Sequence, residues 1–500
     1  MYLYNIFTNN FDIIIAEFFL SLVLLNSILY AVILIKASSY NNQKRYIIES
    51  FNNLFIFLMI LTTFLMLNTG TTFESVFFNG VFIFDDLAKT VKLVLLFTTL
   101  FFLMIQKVYT IDNKINTFEY LILIGISLLG LMFLSSSYNL ILIYLSIELQ
   151  SLSFYILAAY QRKSSFSSEA ALKYFILGAI ASGFILLGSS LIYISLGSIN
   201  LNHMGLIFSN INEYCNIEHV TPALYGIFLI FFGLLFKIGA APFHFWVPDV
   251  YEGSSNNITA FFSIVPKISI ITLLLRFFFD SCNDISFFFE YFFSVCALLS
   301  IFVGSFITLK QKKIKRLLAY SSIGHVGFIL IAFSSNSLIS VQNILFYIII
   351  YIIMTINFWV ILLSLKVNGK NIKYITDFGN LSKINPNIAL ILTINLFSMA
   401  GIPPLAGFFT KFFVFYAALQ SQLYTLSIIG ILLSIISTVY YIRIIKIAYF
   451  DNLSRVQYFN TIQLTHSLIL SFGIQLIIFF CLYPSIFLTY LEKISLLFFV

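Results

Sequence analysis

Apolar stretches long enough to cross a bilayer recur from one end of the chain to the other, separated by short polar connections. A membrane helix needs roughly 20 consecutive apolar residues, and by that length the chain divides into about 14 spans. The first three lie near residues 12–35, 48–68 and 87–106. Five more lie near 119–134, 139–160, 170–195, 222–249 and 257–279. The last six lie near 288–309, 316–335, 338–365, 387–418, 423–449 and 464–491. No polar segment is long enough to form a separate soluble domain, so the expected fold is an all-α membrane protein.

Composition agrees. Hydrophobic residues make up 60% and charged residues 9% of the 500, and the mean hydropathy is +1.00; a soluble domain carries about a quarter charged residues. The opening MYLYNIFTNNF has neither a basic region nor a small-residue cleavage site before the first apolar run, so that run reads as a retained helix. With 60 Phe, 29 Tyr and only 8 Pro, usage leans towards A/T-rich codons, which points to a mitochondrially encoded chain. Cys215, Cys282, Cys296 and Cys481 are scattered without the clustered spacing of zinc or iron–sulfur ligands, and no metal is assigned. Cys215 and Cys282 fall in connections on one side, which leaves a disulfide between them conceivable.

Charge orients the spans. Connections after odd-numbered spans carry Lys36, Lys44 and Arg45; Lys107 and Lys114; Arg162 and Lys163; the KQKKIKR run from Lys310 to Arg316; Lys366, Lys370, Lys373 and Lys383; and Arg443, Lys446 and Arg455. Connections after even-numbered spans carry essentially none, and hold acids such as Glu74, Asp85 and Asp86. The positive-inside rule then places the basic loops in the matrix or cytoplasm and both termini on the opposite, intermembrane-space side. This asymmetry accounts for the net charge of +7 without a nucleic-acid partner. One connection on the basic side, PDVYEGSSNN, is acidic, and the sequence offers no reason for it.

A charge at the bilayer centre costs roughly 2.5–3.5 kcal/mol on insertion scales. Five charged residues nevertheless fall within spans: Glu148 in the fifth, Lys173 a few residues into the sixth, Lys237 in the seventh, Lys267 in the eighth and Lys411 in the twelfth. A lysine near a helix end commonly snorkels to the interface, the reading given to Lys89, Lys92 and Arg276; Lys173 is borderline by position. Glu148, Lys237, Lys267 and Lys411 lie too deep for that and point to a functional role or a buried ion pair. His244 and His325 also fall within spans, where a satisfied structural group and a proton carrier are equally good readings. Burial lowers a lysine pKa and raises a glutamate pKa, and a nearby opposite charge reverses both. Such groups linked by water form a switchable proton path.

Two spans are long and interrupted. The seventh reads FFGLLFKIGAAPFHFWVPDV, with Pro242, and the twelfth NLFSMAGIPPLAGFFTKFF, with Pro403 and Pro404. Proline breaks a helix, and within a membrane such breaks persist where the freed backbone is buried in protein or lines a hydrated cavity. Lys237 is expected at the carboxyl end of a half-helix, where the dipole favours a cation. Interrupted helices at matching places in two halves mark transport sites. Spans 4–8 and 9–13 each carry their break in the fourth member, so two five-helix repeats, inverted with respect to each other, are expected. The chain then parses as a three-helix segment (1–118), a first repeat (119–279), a second repeat (280–449) and a C-terminal helix (450–500).

The segments LSIELQSLSFYILAAY, EAALKYFILGAIASGFILLGSSLIY, FKIGAAPFHFWVPDVYEG, PKISIITLLLR, KRLLAYSSIGHVGFIL and MAGIPPLAGFFTKFFVF resemble, in order, those of the antiporter-like subunits of respiratory NADH dehydrogenase (complex I). The resemblance covers roughly residues 120–450. Within that group it is nearest the chain 2 type: the length is similar, no long lateral helix is present, and position 411 is Lys where subunit 4 carries Glu. Subunit 5 also has Lys there but is considerably longer. The resemblance implies that Glu148 and Lys173 form a gating pair, Lys237 is the central carrier of the first half-channel, Lys267 connects the halves, His325 lies on the polar axis and Lys411 is the exit-side carrier. It implies a non-redox subunit of a translocase in the mitochondrial inner membrane, partnered by other membrane-arm subunits and lipids. NADH, FMN, iron–sulfur clusters and ubiquinone would be bound by other subunits, and no cofactor by this chain. A subunit of a multi-subunit cation/proton antiporter, the equivalent subunit of a bacterial or plastid complex, and a scaffold without a proton path remain alternatives.

Overall fold

The helices of the computed structural model end where polar residues interrupt the apolar runs. It describes residues 19–26, 44–69, 75–78, 80–112, 118–161, 163–209, 217–451, 458–460 and 462–498. Most of the first expected span and the opening MYLYNIFTNNF lie outside these residues, as do Lys36, Glu74, Lys114, Arg162, Cys215 and Arg455. Among the described residues, 11 helices are long and apolar enough to cross a membrane.

The chain resolves into two units: Met1–Leu234 with Val265–Cys282, and Leu235–Ile264 with Asn283–Val500. The first holds α1 (Lys44–Asn68), α2 (Asp86–Asp112), α3 (Phe118–Ser136), α4 (Leu140–Ala158), α5 (Ser165–Leu196), α6 (Leu201–Ser209) and most of α7 (Ile217–Ile238). Asn139 caps α4, its side chain accepting from Ile141 N at 3.0 Å while its amide donates to Asn200 at 3.0 Å. Gly197 closes α5 in the left-handed region at φ 70. Glycines let helices approach closely. A Cβ on Gly226 of α7 would stand 2.7 Å from the Gly188 carbonyl of α5, and one on Gly130 of α3 would stand 2.9 Å from Gln150 N of α4. Small residues at such crossings are the usual means of packing membrane helices, where lipid removes the hydrophobic drive to associate.

The connection after the second span forms a hairpin, Ser75–Phe77 against Phe82–Phe84, which leads into Asp85. Asp85 caps α2 by accepting from Ala88 N at 2.8 Å, and it meets Arg276 Nη2 at 2.6 Å with both side chains buried. Arg276 opens a π-helical turn, Arg276–Ser281, at the end of α9 (Asn256–Leu275), and its Nε donates to the Ser135 carbonyl at 3.3 Å. The snorkelling reading of Arg276 is therefore corrected: the guanidinium is neutralised inside the protein. Lys92 is buried as well, with its ammonium 4.1 Å from the centre of the Phe84 ring, where a cation–π contact replaces the expected interface. Lys89 is half-buried and donates to the Thr69 carbonyl.

In the second unit, α8 (Trp246–Gly253) follows α7 after an irregular stretch. Then come α10 (Phe287–Leu309), α11 (Ile314–Ser334), α12 (Leu338–Ser364), α13 (Pro386–Ala400), α14 (Ala406–Gln420), α15 (Tyr424–Tyr449), α16 (Leu464–Leu482) and α17 (Ser485–Leu496). The last expected span is thus two helices; Pro484 follows α16, and the reading of 464–491 as one element is corrected. Helices α10 and α11 cross at Gly304, where a Cβ would stand 2.6 Å from Gly324 Cα. A Ser337/Ser340 capping box starts α12.

One end of this unit collects its basic connections. Ile314 N donates to the Lys373 carbonyl and Ile375 N to the Lys312 carbonyl, both at 3.1 Å. Arg443 donates to the Leu309 carbonyl at 3.1 Å, and the hairpin Lys366–Val367/Lys370–Asn371 bonds through Asn368 N to Tyr458 at 3.0 Å. The acidic PDVYEGSSNN segment belongs to this cluster. Glu252 pairs with Lys313 and Arg316, Asp249 with Arg316 at 3.4 Å, and Lys315 donates to the Ser254 carbonyl at 2.5 Å. Its charge is explained: it is the counter-charge to the basic run that starts α11.

Candidate proton-path site

Both expected helix breaks are present and close in the same way. At the first, α7 ends with Lys237 in its last turn. Gly239 takes φ 82, its N–H donates to the Leu235 and Phe236 carbonyls at 3.0 Å, and Ala240 N donates to the Leu235 carbonyl at 3.0 Å. At the second, α13 ends at Gly401 with φ 84. Gly401 N donates to Phe397 and Ser398 at 3.0 Å, and Ile402 N to Phe397 at 3.1 Å. This is the glycine-terminated stop in which the next two amides fold back on the last turn. The proline that follows, Pro242 or Pro404, is preceded by a cis bond in both.

A cation stands at each carboxyl end. Lys237 is 6% exposed. Lys411, from the half-helix after the second break, is 7% exposed and donates its ammonium to the Ala400 carbonyl, the last residue of the half-helix before it, at 2.7 Å. The unsatisfied carbonyls of a helix end carry partial negative charge, which favours a buried ammonium there. Gly401 is needed twice: no other residue adopts its φ as easily, and a Cβ would stand 2.9 Å from Lys411 Cδ. At the first break the Trp246 indole donates to the Phe236 carbonyl at 2.8 Å, and buried His244 lies against the Phe245 ring, centroids 4.7 Å apart.

His325 and Lys411 belong to one cluster. The ammonium of Lys411 is 5.1 Å from the centre of the Phe328 ring, which stacks on Tyr347 at 6.5 Å. Tyr347 hydroxyl meets His325 Nδ1 at 2.7 Å, and Tyr441 hydroxyl meets Nε2 at 3.2 Å. All of these groups are buried or nearly so.

The remaining sequence candidates occupy the other unit. Glu148 lies mid-helix in α4, one carboxylate oxygen 3.4 Å from the Ser151 hydroxyl and the other buried without a hydrogen-bond partner. Lys173 is half-exposed on α5 and pairs with Glu169 one turn earlier at 2.8 Å. Lys267 is buried in α9, a helix buried along its whole length. Pro266 just before it lacks the N–H that the Phe262 carbonyl would accept, and Tyr251 hydroxyl approaches that carbonyl at 3.5 Å. Sequence reasoning missed the tyrosines, because a tyrosine in an apolar helix carries no cost that singles it out. It also missed the Asp85–Arg276 pair, whose partners lie far apart in the chain. Cys282 is a buried free thiol.

Residues 137–437 match the family model described as NADH:quinone oxidoreductase/Mrp antiporter, TM. The chain is 43% identical over 430 residues to NADH-ubiquinone oxidoreductase chain 2 of Marchantia polymorpha, covering 86% of this chain and 87% of that one. It is 41% identical over 374 residues to NADH-quinone oxidoreductase subunit N of Paramagnetospirillum magneticum, covering 75% and 77%. A chain of respiratory complex I from Thermus thermophilus with bound aureothin has the same fold, with a TM-score of 0.76 at 24% identity over 93% of this chain and 98% of that one. The chain belongs to the NADH:quinone oxidoreductase/Mrp antiporter family of membrane subunits, in the branch of chain 2 and subunit N.

Proposed function

We propose that the chain is a proton-translocating core membrane subunit of a respiratory NADH:ubiquinone oxidoreductase, moving protons through buried glutamate, lysine and histidine side chains. The supporting observation is the coincidence of each helix break with a buried lysine held at the carboxyl end of a half-helix. The Lys411 ammonium, held by the Ala400 carbonyl, can lose its proton and regain it without leaving an orphan anion behind. In this reading Glu148 and Lys173 gate the path, Lys237 is the central carrier of the first half-channel, Lys267 connects the halves, His325 lies on the polar axis and Lys411 is the exit-side carrier. Quinone reduction elsewhere in the complex drives the switching. NADH, FMN, iron–sulfur clusters and ubiquinone belong to other subunits, so the chain contributes to the enzyme as a non-redox part.

The same reading takes spans 4–8 and 9–13 as two inverted copies, supported by the matching glycine stops and by glycine-mediated packing of the first helix pair of each. It places the chain among other membrane-arm subunits of the mitochondrial inner membrane, with the basic end of the second unit facing the matrix.

Native separation of mildly solubilised membranes tests the assignment. Peptides of this chain are expected to co-migrate with a very large NADH-oxidising band. In such complexes Lys237→Ala is expected to abolish proton pumping; retained pumping removes Lys237 from the path. The family description also covers antiporter subunits, and that reading gains if the chain migrates in a smaller assembly without NADH activity whose proton movement ignores complex I inhibitors.

A further inference from the structure

His325 is buried, on α11, and both of its ring nitrogens face phenol hydroxyls from different helices: Tyr347 of α12 at 2.7 Å on Nδ1 and Tyr441 of α15 at 3.2 Å on Nε2. A neutral imidazole has one donor and one acceptor nitrogen, so one of the two hydroxyl partners donates to the ring and the other accepts from it. The short contact has the length of a hydroxyl donating, and the longer one falls at the upper end for a ring N–H donating. We propose that Tyr347 and Tyr441 are positioning residues that hold His325 as the Nε2–H tautomer, with its proton-accepting nitrogen towards Tyr347 and its proton-releasing nitrogen towards Tyr441. This rests on the reading of His325 as part of the proton path.

The geometry gives the histidine a direction. A proton accepted at Nδ1 is the Tyr347 hydroxyl's own, replaced on that oxygen by one from water; the hydroxyl then accepts from Nδ1, so the contact survives while the imidazolium carries one proton on each nitrogen. A proton lost from Nε2 passes to the Tyr441 oxygen as that hydroxyl gives up its own to a hydroxyl bonded to it, Tyr440 or Ser321. The histidine is left as the opposite tautomer, and one proton has crossed the ring. The Tyr440 ring lies against Tyr441 with centroids 4.3 Å apart. On the other side Tyr347 stacks on Phe328, the ring over which Lys411 stands. The titratable groups around the imidazole are Tyr347 and Tyr351 of α12, the latter ring at 5.3 Å, Tyr441 of α15, and Lys411 of α14 beyond Phe328. Tyr351 is committed elsewhere, its hydroxyl 3.3 Å from the Ser263 carbonyl.

The test uses the intact complex in sealed vesicles, with the pH profile of NADH-driven proton pumping measured for Tyr347→Phe, Tyr441→Phe, the double variant and His325→Gln. Phenylalanine keeps each ring and its packing and removes only the hydroxyl. Each single variant is expected to assemble normally and to pump about tenfold more slowly, less than the roughly 10²–10⁴-fold that a proton-transfer group itself contributes, because the hydroxyl only positions that group. Its pH profile is expected to shift from that of the parent, which lost packing alone would not produce. If the double variant keeps the parental rate and profile while His325→Gln stops pumping, the tyrosines have no such role although the path runs through His325. If His325→Gln itself pumps normally, the path reading of that residue fails and the tautomer proposal falls with it. Should a tyrosine variant fail to assemble, Tyr347→His and Tyr441→His, which restore a hydrogen-bonding group, decide the matter: recovered assembly with a shifted pH profile supports the proposal, and recovered assembly with the parental profile overturns it.

Discussion

At the level of single residues, the second helix break holds a buried cation, the Lys411 ammonium donating to the Ala400 carbonyl at 2.7 Å. Lys411 stands out because a cation inside an apolar span has a cost; nothing in the sequence tells that its ammonium is received by the Ala400 carbonyl across the break. Lys92 and Arg276 were misread for the same reason, since an aromatic ring and a distant carboxylate satisfy them inside the protein. The environment of Lys411 makes two predictions. Lys411→Glu would put an anion against the carboxyl end of α13, yet the related subunit 4 type carries Glu there, so partial NADH-driven pumping is expected in assembled complexes; complete loss would show that a cation is required. Gly401→Ala forces a side chain into the left-handed region, at about 1–2 kcal/mol, and into Lys411 Cδ at 2.9 Å. Pumping is expected to fall by about tenfold, equivalent to ~1.4 kcal/mol in the barrier. Gly369→Ala is the control. It has φ 76 with nothing near its Cβ position, so it should lower thermal stability and leave the ratio of protons pumped to NADH oxidised unchanged.

At the level of elements, apolar length found the described helices to within a few residues, because a membrane leaves backbone groups no partners other than those within the helix. It found the breaks at Pro242 and Pro403–Pro404 but not the one before Ser485, where a lone proline follows α16 without a glycine stop. Short α6 was read as connection because nine residues are too few for the length criterion. The acidic start of α8 made no sense until its cationic partners at the start of α11 were placed beside it. Two predictions follow from pairs of elements. Removing the Asp85 carboxylate leaves a buried guanidinium uncompensated, which costs about 3–5 kcal/mol. Asp85→Ala is therefore expected to deplete the assembled complex on native gels, and adding Arg276→Leu should restore much of it. The Glu252–Arg316 contact is half in solvent, where an isolated pair contributes about 0.2–1 kcal/mol. Glu252→Arg and Arg316→Glu should each lower the thermal midpoint of the complex slightly, and the double exchange should recover only part of the loss, because Lys313 and Asp249 keep their charges; strict additivity would show the two charges to be uncoupled.

For the whole molecule, the alternation of basic and non-basic connections carries most of the information. The sequence assigns the segments following spans 9, 11 and 13 to one side on charge, and the acidic segment following span 7 to the same side by alternation. In the second unit those segments meet: 310–316 with 373–375, Arg443 with Leu309, 368 with 458, and 249–254 with 313–316. Such convergence requires an even number of crossings between successive segments of this set, which a miscounted span would have destroyed. What convergence does not fix is which compartment that end faces, and the positive-inside rule supplies it. Lys370, exposed in the basic hairpin, and Gln422, exposed between α14 and α15, lie on connections that the alternation assigns to opposite faces. With Lys370→Cys, a membrane-impermeant maleimide is expected to label the chain in inverted vesicles that expose the matrix face and not in right-side-out ones. Gln422→Cys should give the reverse, each read against the parental chain to subtract native thiols. Labelling of both positions from one side would mean that an odd number of crossings does not separate them, and would break the five-helix parse. Labelling with the two faces exchanged would keep the parse and overturn the orientation, making the basic end the side of proton release and reversing the direction assigned to Lys237 and Lys411.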